Sequence, residues 1–280
     1  MNNLEKGLYI ISTPIGNLED ISLRAKKILQ KTDFIICENP KHSLKLLNKL
    51  GIKKKLVSLH DYNEEALIKR IEKYEKNSLI AIISDSGSPL ISDPGFKLVR
   101  YFIKKNINIT SVPGPSSVIS SLQLSGIAMH NFVFFGFVPK YITAAKQLVK
   151  RLDDINLTGV VFISGKRLMG FLELISVSSK NREISICKEM TKINEAVFRG
   201  NAKNLIDKII TNKINLRGEF TLVIGNEETN YKKNITDIVK KQTLKLLEKY
   251  TLTETVKIVH KLSNISKKDI YQMALKIKND

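Results

Sequence analysis

Short, nearly continuous apolar runs alternate with amphipathic runs through the first 126 residues. GLYIIST, DFIICE and LIAIISD have the length and the β-branched content of buried strands. The segments between such runs, for example LEDISLRAKKILQKT, place apolar residues at helical spacing. Strands that are apolar on both faces and alternate with helices indicate a mostly parallel sheet covered on both sides. We therefore predict an α/β fold in which residues 1–126 form an N-terminal α/β domain.

The pattern changes after Gly126. Strand-like segments are separated only in part by helices, and they fall at 131–138, 158–164, 182–190, 195–200 and 218–226. Strands that follow one another without a helix between them favour antiparallel pairing. We predict a second α/β domain with a mixed sheet over residues 127–228.

The last segment, residues 234–280, contains helical patterns only and is rich in lysine. Thr253 and Ser266 lie where N-caps are expected, and Glu254 and Asp269 lie in or near the first turns that follow. These signals predict a small basic helical tail domain. Its lysines suit an RNA clamp, although a solvated bundle that serves packing or dimerisation would show the same pattern.

The chain of 280 residues has a formal net charge of +19. An excess this large favours a polyanionic partner such as nucleic acid, although a lysine-, isoleucine- and asparagine-rich composition also results from an AT-rich coding sequence. No run approaches the roughly 20 apolar residues of a membrane span, so we expect no membrane association. Cys37 and Cys187 fit no metal spacing, which makes a reduced, cytoplasmic setting the default and predicts no metal site.

Four predicted strands end in segments that are rich in Gly, Pro, Ser or Thr: residues 13–17, 38–43, 84–95 and 112–117. Ligands of open α/β sheets bind beyond the carboxyl ends of the strands, and small residues allow a ligand to approach the backbone closely. Any one of these segments could be an ordinary strand–helix turn, but together they predict a ligand cleft. Neither GxxxxGK[ST] nor GxGxxG occurs, which disfavours P-loop and dinucleotide binding.

The blocks LYIISTPIGNLEDISLRA, HDYNE, SDSGSPLISDPGFKLV and VPGPSSVISSLQLSG resemble the tetrapyrrole-methylase-like (class III) methyltransferase superfamily. Within it they are most similar to the members that methylate the ribose 2′-oxygen of a cytidine in 16S ribosomal RNA. The resemblance extends over essentially the whole chain, including the helical tail. It implies S-adenosylmethionine as methyl donor, two α/β domains with the cofactor between them, 16S rRNA of the small ribosomal subunit as substrate, and a homodimer.

The resemblance also implies site residues. The implied cofactor-binding residues are Pro14, Gly16, Asp85, Gly87, Pro89, Leu90, Ile91, Ser116, Ser117, Phe162 and Thr221. The substrate-binding candidates are Arg24, Asn39, His42, His60, Asn63, Glu64 and Arg167. For the arginines a solvated helix face is the alternative, and for His42 a structural cap.

The catalytic candidates are Glu38 and Lys41. A ribose hydroxyl is a very weak acid, so a positioned base or a local positive charge assists its attack. We predict that Glu38 orients or deprotonates the hydroxyl and that Lys41 contacts the RNA backbone or stabilises the alkoxide. The alternative is that the two side chains only pair across a loop.

Two blocks depart from the usual pattern of the superfamily members. Glu-Asp-Thr-Arg-His is replaced by ENPKH (residues 38–42), and FISGKRL (residues 162–168) keeps its leading aromatic and Arg167 but lacks the usual acid. KEMTKINEAVFRG keeps its acidic and basic positions. Two other functions therefore stay open: a C-methyltransferase that acts on a tetrapyrrole, and an RNA-binding relative without catalytic activity.

Overall fold

The structure is a computed structural model that describes residues 4–74, 76–155, 157–226, 239–263 and 265–279. Within these residues the chain forms two five-stranded sheets followed by helices. The strands of the first sheet are β1 (Gly7–Ile11), β2 (Phe34–Cys37), β3 (Lys55–Ser58), β4 (Leu79–Ile83) and β5 (Ile109–Val112). The strands of the second are β6 (Phe132–Phe137), β7 (Thr158–Ser164), β8 (Ile184–Lys188), β9 (Ala196–Gly200) and β10 (Glu219–Ile224).

Most helices between these strands begin within two residues of the predicted positions, but the segment predicted to be helical from Leu18 begins with a 3-10 turn at Leu18–Asp20, and its α-helix starts only at Leu23. In the first half they are α1 (Leu23–Lys31), α2 (Pro40–Lys49), α3 (Glu64–Ile71), α4 (Phe96–Lys104) and α5 (Ser117–Ser125). In the second half they are α6 (Ile142–Asp154), α7 (Gly165–Ser178) and α8 (Ala202–Ile210). Side-chain caps explain several starts, because Ser22, Asn39 and Asn201 each accept a hydrogen bond from an N–H of the first turn.

The first sheet is entirely parallel, with the strand order β3-β2-β4-β1-β5. Both faces of the sheet are buried, which explains why its strands are apolar at successive positions. One face packs on α1 and α2 through residues such as Ile11 and Leu29, and the other packs on α3 and α4 through residues such as Ile80 and Phe102. The predicted parallel α/β sheet is confirmed.

The second sheet has the order β6-β7-β10-β8-β9, in which only the β6–β7 pair is parallel. The predicted mixed sheet is therefore confirmed as well. Helices α6, α7 and α8 cover one face. The other face packs on α5, where Val118 and Leu122 meet Val160 and Val223, so one helix joins the two sheets.

The tail contains a helical segment at 239–247, α9 (Leu252–Leu262) and α10 (Lys267–Asn279) around a small core that includes Val256 and Ile270. Ser266 accepts from the Asp269 N–H at 3.2 Å, as a cap does. The prediction of a cap at Thr253 was wrong. Thr251 caps α9 in a reciprocal capping box with Glu254, because the helix begins two residues earlier.

The predicted domain limits at residues 228 and 234 lie outside the described residues. Among the residues that the structure describes, no helix combines the length and the apolar character required to cross a membrane. The same residues contain no group of three or more His, Cys, Asp or Glu side chains able to hold a metal ion.

Candidate functional site

The parallel sheet has a topological switch point between β1 and β4. The two strands are neighbours, but the chain leaves β1 toward α1 on one face and leaves β4 toward α4 on the opposite face. Loops that diverge in this way open a crevice at the carboxyl edge of a sheet. Residues 13–17 follow β1 and residues 84–95 follow β4, so two of the predicted ligand loops border that crevice.

Hydrogen bonds hold these loops in a fixed arrangement. Thr13 and Gly87 exchange backbone bonds of 2.8 and 3.1 Å, and the Ser84 hydroxyl donates to the Gly87 carbonyl at 2.8 Å. Ser88 Oγ donates to the Pro115 carbonyl at 3.3 Å and thereby adds the loop after β5. Gly87 has φ +82°, a conformation that glycine adopts without strain. The crevice wall is therefore built before any ligand arrives.

A cavity of about 370 Å³ opens between the two sheets, within the usual range for small-molecule sites. Loops of the first sheet form one wall, and β7, β10 and the ends of β6 and β8 form the other. Eight of the predicted residues line it: Asp85, Gly87, Ile91, Ser116, Ser117, Phe162, Arg167 and Thr221. Residues separated by up to 136 positions in the sequence thus meet in one site, as the resemblance implied.

Four predicted cofactor residues do not line this cavity. A Cβ at Gly16 would lie 2.5 Å from Lys192 Cγ and 2.7 Å from Thr191 Oγ1, so Gly16 allows the loop after β1 to touch the turn after β8. The neighbouring Asn17 N–H donates to Thr191 Oγ1 at 3.0 Å. Leu90 packs against the core beside Gly95. The other two are Pro14 and Pro89.

The ENPKH block lies next to the cavity rather than in its wall. Asn39 caps α2 by accepting from the N–H groups of Lys41 and His42, and Pro40 occupies the first turn. Asparagine caps helices as well as aspartate does, and proline suits the first helical position, so the departure from the usual block preserves the helix start. Lys41 and His42 are exposed.

Glu38 borders a small second pocket together with Pro89 and Asp93, and Asp93 also lines the main cavity. Burial, followed by the nearby charges of Asp85 and Asp61, raises the pKa of the Glu38 carboxyl. Among the described residues the ion pairs do not include a bond between Glu38 and Lys41. The simple pairing considered above is therefore not what the structure shows.

The HDYNE block forms a turn whose side chains are held by other parts of the protein as well as by each other. The Asn63 amide accepts from the His60 N–H at 2.8 Å and donates to the Ser58 carbonyl at 3.1 Å. Glu64 is buried, and its carboxylate accepts from the Leu98 N–H at 2.7 Å, which caps α4 from another helix. Arg24 is exposed on α1. The Glu64 carboxylate is thereby engaged in the fold, at a buried position away from the lining of the main cavity.

Asp93 is a cavity residue that sequence reasoning missed. Burial, with further contributions from Glu38 and Asp85, raises the pKa of its carboxyl to about 6. Its loop also holds two non-glycine residues in the left-handed region, Leu90 (φ 72°) and Ser92 (φ 71°). Such strain concentrates at functional sites. The only signal in the sequence was that Asp93 belongs to the same serine-, proline- and glycine-rich segment as Asp85 and Gly87.

The opposite wall of the cavity includes two glutamates, Glu189 and Glu219, that were not assigned to the site from the sequence. Glu189 accepts from the Glu219 N–H at 2.8 Å, and Lys192 Nζ bridges the two carboxylates at 3.1 and 3.0 Å. Burial alone would raise the pKa of Glu189, but the Glu219 N–H and the Lys192 ammonium outweigh it and lower this pKa. Gly218 leaves room for Glu189, since a Cβ there would lie 2.8 Å from its carboxylate. Both glutamates line the cavity.

The lining suits a ligand that combines amino and hydroxyl groups with an aromatic base and a carboxylate. Asp85 can accept from such groups, Ile15 and Phe162 offer apolar contact, and Ser116 and Ser117 bring the N-terminus of α5 to the cavity. A helix N-terminus favours a carboxylate. The residues present therefore fit S-adenosylmethionine, which carries all of these groups.

The family model of the tetrapyrrole (corrin/porphyrin) methylases matches residues 7–206. Curated relatives include "Ribosomal RNA small subunit methyltransferase I" of Haemophilus influenzae, 36% identical, and that of Rickettsia prowazekii, 38% identical. Each alignment covers 98% of this chain and 98% of the relative.

Solved structures of similar fold include a cobalt precorrin-4 methyltransferase of cobalamin biosynthesis and a diphthine synthase. The first has a TM-score of 0.57 at 17% identity and covers 78% of this chain and 94% of that one. The second has a TM-score of 0.59 at 14% identity and covers 80% and 93%. At such identities the likeness concerns the fold. The match over most of the chain and the full-length relatives together establish that this chain belongs to the tetrapyrrole methylase family, in its ribosomal RNA small subunit methyltransferase I branch.

Proposed function

We propose that this protein transfers the methyl group of S-adenosylmethionine to the ribose 2′-oxygen of a cytidine in 16S rRNA of the small ribosomal subunit. The observation that carries the proposal is the cavity between the sheets, where eight residues implied by the resemblance meet around one volume. Methyltransferases of this family use S-adenosylmethionine, and the full-length relatives are named for ribosomal RNA. The choice of 2′-oxygen and cytidine comes from the resemblance of the motif blocks.

When bound, S-adenosylmethionine supplies a methyl group on a sulfonium centre, which a hydroxyl oxygen can attack. Asp85, Phe162 and Thr221 would hold the donor, and the walls of the cavity would exclude water from it. The loop hydrogen bonds around Gly87 would contribute by keeping the reacting groups aligned, which lowers the barrier of such a transfer.

The protein must also receive the proton of the ribose hydroxyl. Asp93 lines the cavity, and its pKa of about 6 makes it a better proton acceptor than an ordinary carboxylate. Glu38 lies behind it on the shared small pocket. We assign proton acceptance to Asp93 supported by Glu38, and we assign Lys41, which is exposed beside them, to the RNA backbone.

The RNA substrate fits the charge of the chain. The formal net charge is +19, and the tail buries Val256, Val259 and Ile270 while Lys257 and Lys261 are exposed. Contacts between lysines and phosphates weaken as salt rises because counterions are released on binding. If the tail is an RNA clamp, binding to small subunits should weaken steeply between low and moderate salt.

Two other functions are distinguishable. A tetrapyrrole methyltransferase would fit the fold, but a small anionic macrocycle does not require the basic tail, and the solved corrin enzyme shares only 17% of its residues with this chain. Porphyrinoid absorbance in the purified protein would favour it. A non-catalytic RNA-binding relative would bind no S-adenosylmethionine in calorimetry, although the residues of the cofactor loops are present.

The direct test is incubation of small ribosomal subunits with labelled cofactor, followed by nuclease mapping of the modified nucleotide. Label on a cytidine ribose is expected. Glu38→Ala and Lys41→Ala should lower turnover and leave cofactor affinity nearly unchanged, because neither residue lines the main cavity. Wild-type rates in both variants would remove these two residues from the mechanism.

We further propose a homodimer in the cytoplasm, with domains at 1–126, 127–228 and 234–280. The edge strand β6 supports self-association, since Phe132 at its start is 40% exposed and Ile142, which begins the helix after it, is 58% exposed. Exposed apolar residues at a sheet edge favour a protein contact. Sedimentation equilibrium would test this: a single species at 31.7 kDa would refute the dimer.

A further inference from the structure

An exposed aromatic ring stands at the rim of the cavity. Three phenylalanines line the cavity: Phe220 is buried, Phe162 is partly buried, and Phe137 is 61% exposed. Phe137 contacts Phe162 edge to face, with ring centroids 5.2 Å apart and an interplanar angle of 63°. One side of the outer ring is therefore supported by protein, and most of the remainder faces solvent at the entrance.

A β-bulge aims Phe137 at the cavity. Phe134 pairs with Val160 and Phe137 pairs with Phe162, so two residues of β6 lie opposite Val161 alone. Without the extra residue, position 136 would share the face of Phe134. With it, Phe137 takes that face, and both rings contact Phe162. Bulges beside active sites commonly redirect a side chain in this way.

The backbone around Phe137 is held firmly on its C-terminal side. The Val138 N–H donates to the Phe162 carbonyl at 2.8 Å, and the Arg167 guanidinium donates to the Val138 carbonyl. Arg167 also donates to Ser164 Oγ at 3.2 Å. Arg167, predicted from the sequence to bind substrate, thus acts on the rim by positioning the end of β6.

The rim at Phe137 adjoins the loop that carries Asp93. Gly136 lies within van der Waals reach of this loop, since a Cβ there would lie 3.6 Å from Ser92 Oγ, and Asp93 is the next residue. A nucleotide seated against Phe137 would therefore have its ribose close to the carboxylate that we assign to proton acceptance.

We propose that Phe137 is a substrate-binding residue on which the target nucleobase stacks while its ribose enters the cavity, an inference that rests on the proposed function. Proteins that recognise single-stranded RNA receive unstacked bases on aromatic rings. Phe137 is better placed to stack on the target base than on the adenine of the cofactor. A donor enclosed between the sheets would contact the buried walls of the cavity, whereas an incoming nucleotide would contact the exposed rim.

The test compares wild-type protein with Phe137→Ala, Phe137→Leu and Phe137→Tyr, using small ribosomal subunits and labelled S-adenosylmethionine. Tyr141→Ala is the matched control, since Tyr141 is 80% exposed nearby but does not line the cavity. Loss of one stacked base should lower kcat/KM for the RNA by about 5- to 150-fold in the Ala and Leu variants. Phe137→Tyr and Tyr141→Ala should retain most activity, and the Kd for S-adenosylmethionine, measured by calorimetry, should be unchanged throughout.

Each of the following outcomes would contradict the inference for a different reason. Equal kcat/KM in Phe137→Ala and wild type would show that the ring makes no productive contact. A parallel loss of cofactor affinity would assign the ring to the cofactor. A loss of activity that tracks dissociation into monomers would assign it to a protein interface. Wild-type protein that methylates no ribosomal RNA would refute the proposed function itself, whereas active wild type with unaffected variants refutes only the stacking role.

Discussion

Replacing Asp93 by Asn should stabilise the protein at neutral pH. The pKa of Asp93 is raised from an ordinary value of 3.8 to about 6, first by burial and then by Glu38 and Asp85. Between these two values the folded chain still holds a proton that the unfolded chain has released, so stability falls as pH rises through this window. Above pH 6 the full cost of the buried charge is present, and below pH 4 it is absent.

The size of the effect follows from the same values. A shift of about two pKa units corresponds to about 3 kcal/mol, and because Asp93 is partly exposed, screening by water reduces the expected gain to about 2 kcal/mol. Asp93→Asn should therefore raise the free energy of unfolding by about this amount at pH 8 and leave it unchanged at pH 4. The same variant should lose methyl transfer, since an amide cannot accept the proton, a trade of activity for stability that is common at active sites.

Urea denaturation at several pH values between 4 and 8 measures the prediction directly. Asp207→Asn, an exposed aspartate on α8, is the control and should follow the wild type at every pH. Glu38 has a pKa raised for the same reasons, so some pH dependence should persist in Asp93→Asn. A variant whose stability falls between pH 4 and 6 as steeply as the wild type, or one that is less stable at pH 8, would refute the argument.

Three further substitutions test contacts elsewhere. Gly16→Ala should destabilise the chain by about 1–3 kcal/mol, because the added methyl group would overpack against the turn after β8. The comparison variant Gly170→Ala should stabilise it by about 0.5–1 kcal/mol, because Gly170 lies in a helix and its added Cβ would meet nothing within 4 Å. Chemical denaturation measures both changes. Glu64→Ala should cost about 1–3 kcal/mol in the same assay, because it leaves a buried N–H of α4 without an acceptor. Thr251→Ala should reduce hydrogen-exchange protection in α9 by about 1 kcal/mol, and Thr253→Ala should not.

The arrangement of the two sheets was readable from the chain because each element carries a local signal. The strand LIAII is apolar at every position since both faces are buried. The cap at Asn39 was not predicted, because the sequence assigned this residue to substrate binding and only the structure shows it at the start of α2. The loops that border the cavity were predicted because four segments of small residues follow strands whose carboxyl ends share one sheet edge. The tail cap was misplaced by two residues because Thr251 and Thr253 present the same side chain, and only the start of the helix distinguishes them.

Local pattern thus sufficed for the parallel and mixed sheets, for the loops that border the crevice and for a basic tail. The residues that line the cavity could be identified only from the tertiary structure, because the surroundings of a side chain depend on elements that lie far away in the chain. Asp93 acquires its raised pKa first from burial and then from carboxylates 55 and 8 positions earlier. Glu64, which looked like a substrate residue, faces a neighbouring helix instead. Phe137 reaches the cavity only because a bulge shifts its strand by one residue, and such a shift depends on cross-strand pairing that no local pattern specifies.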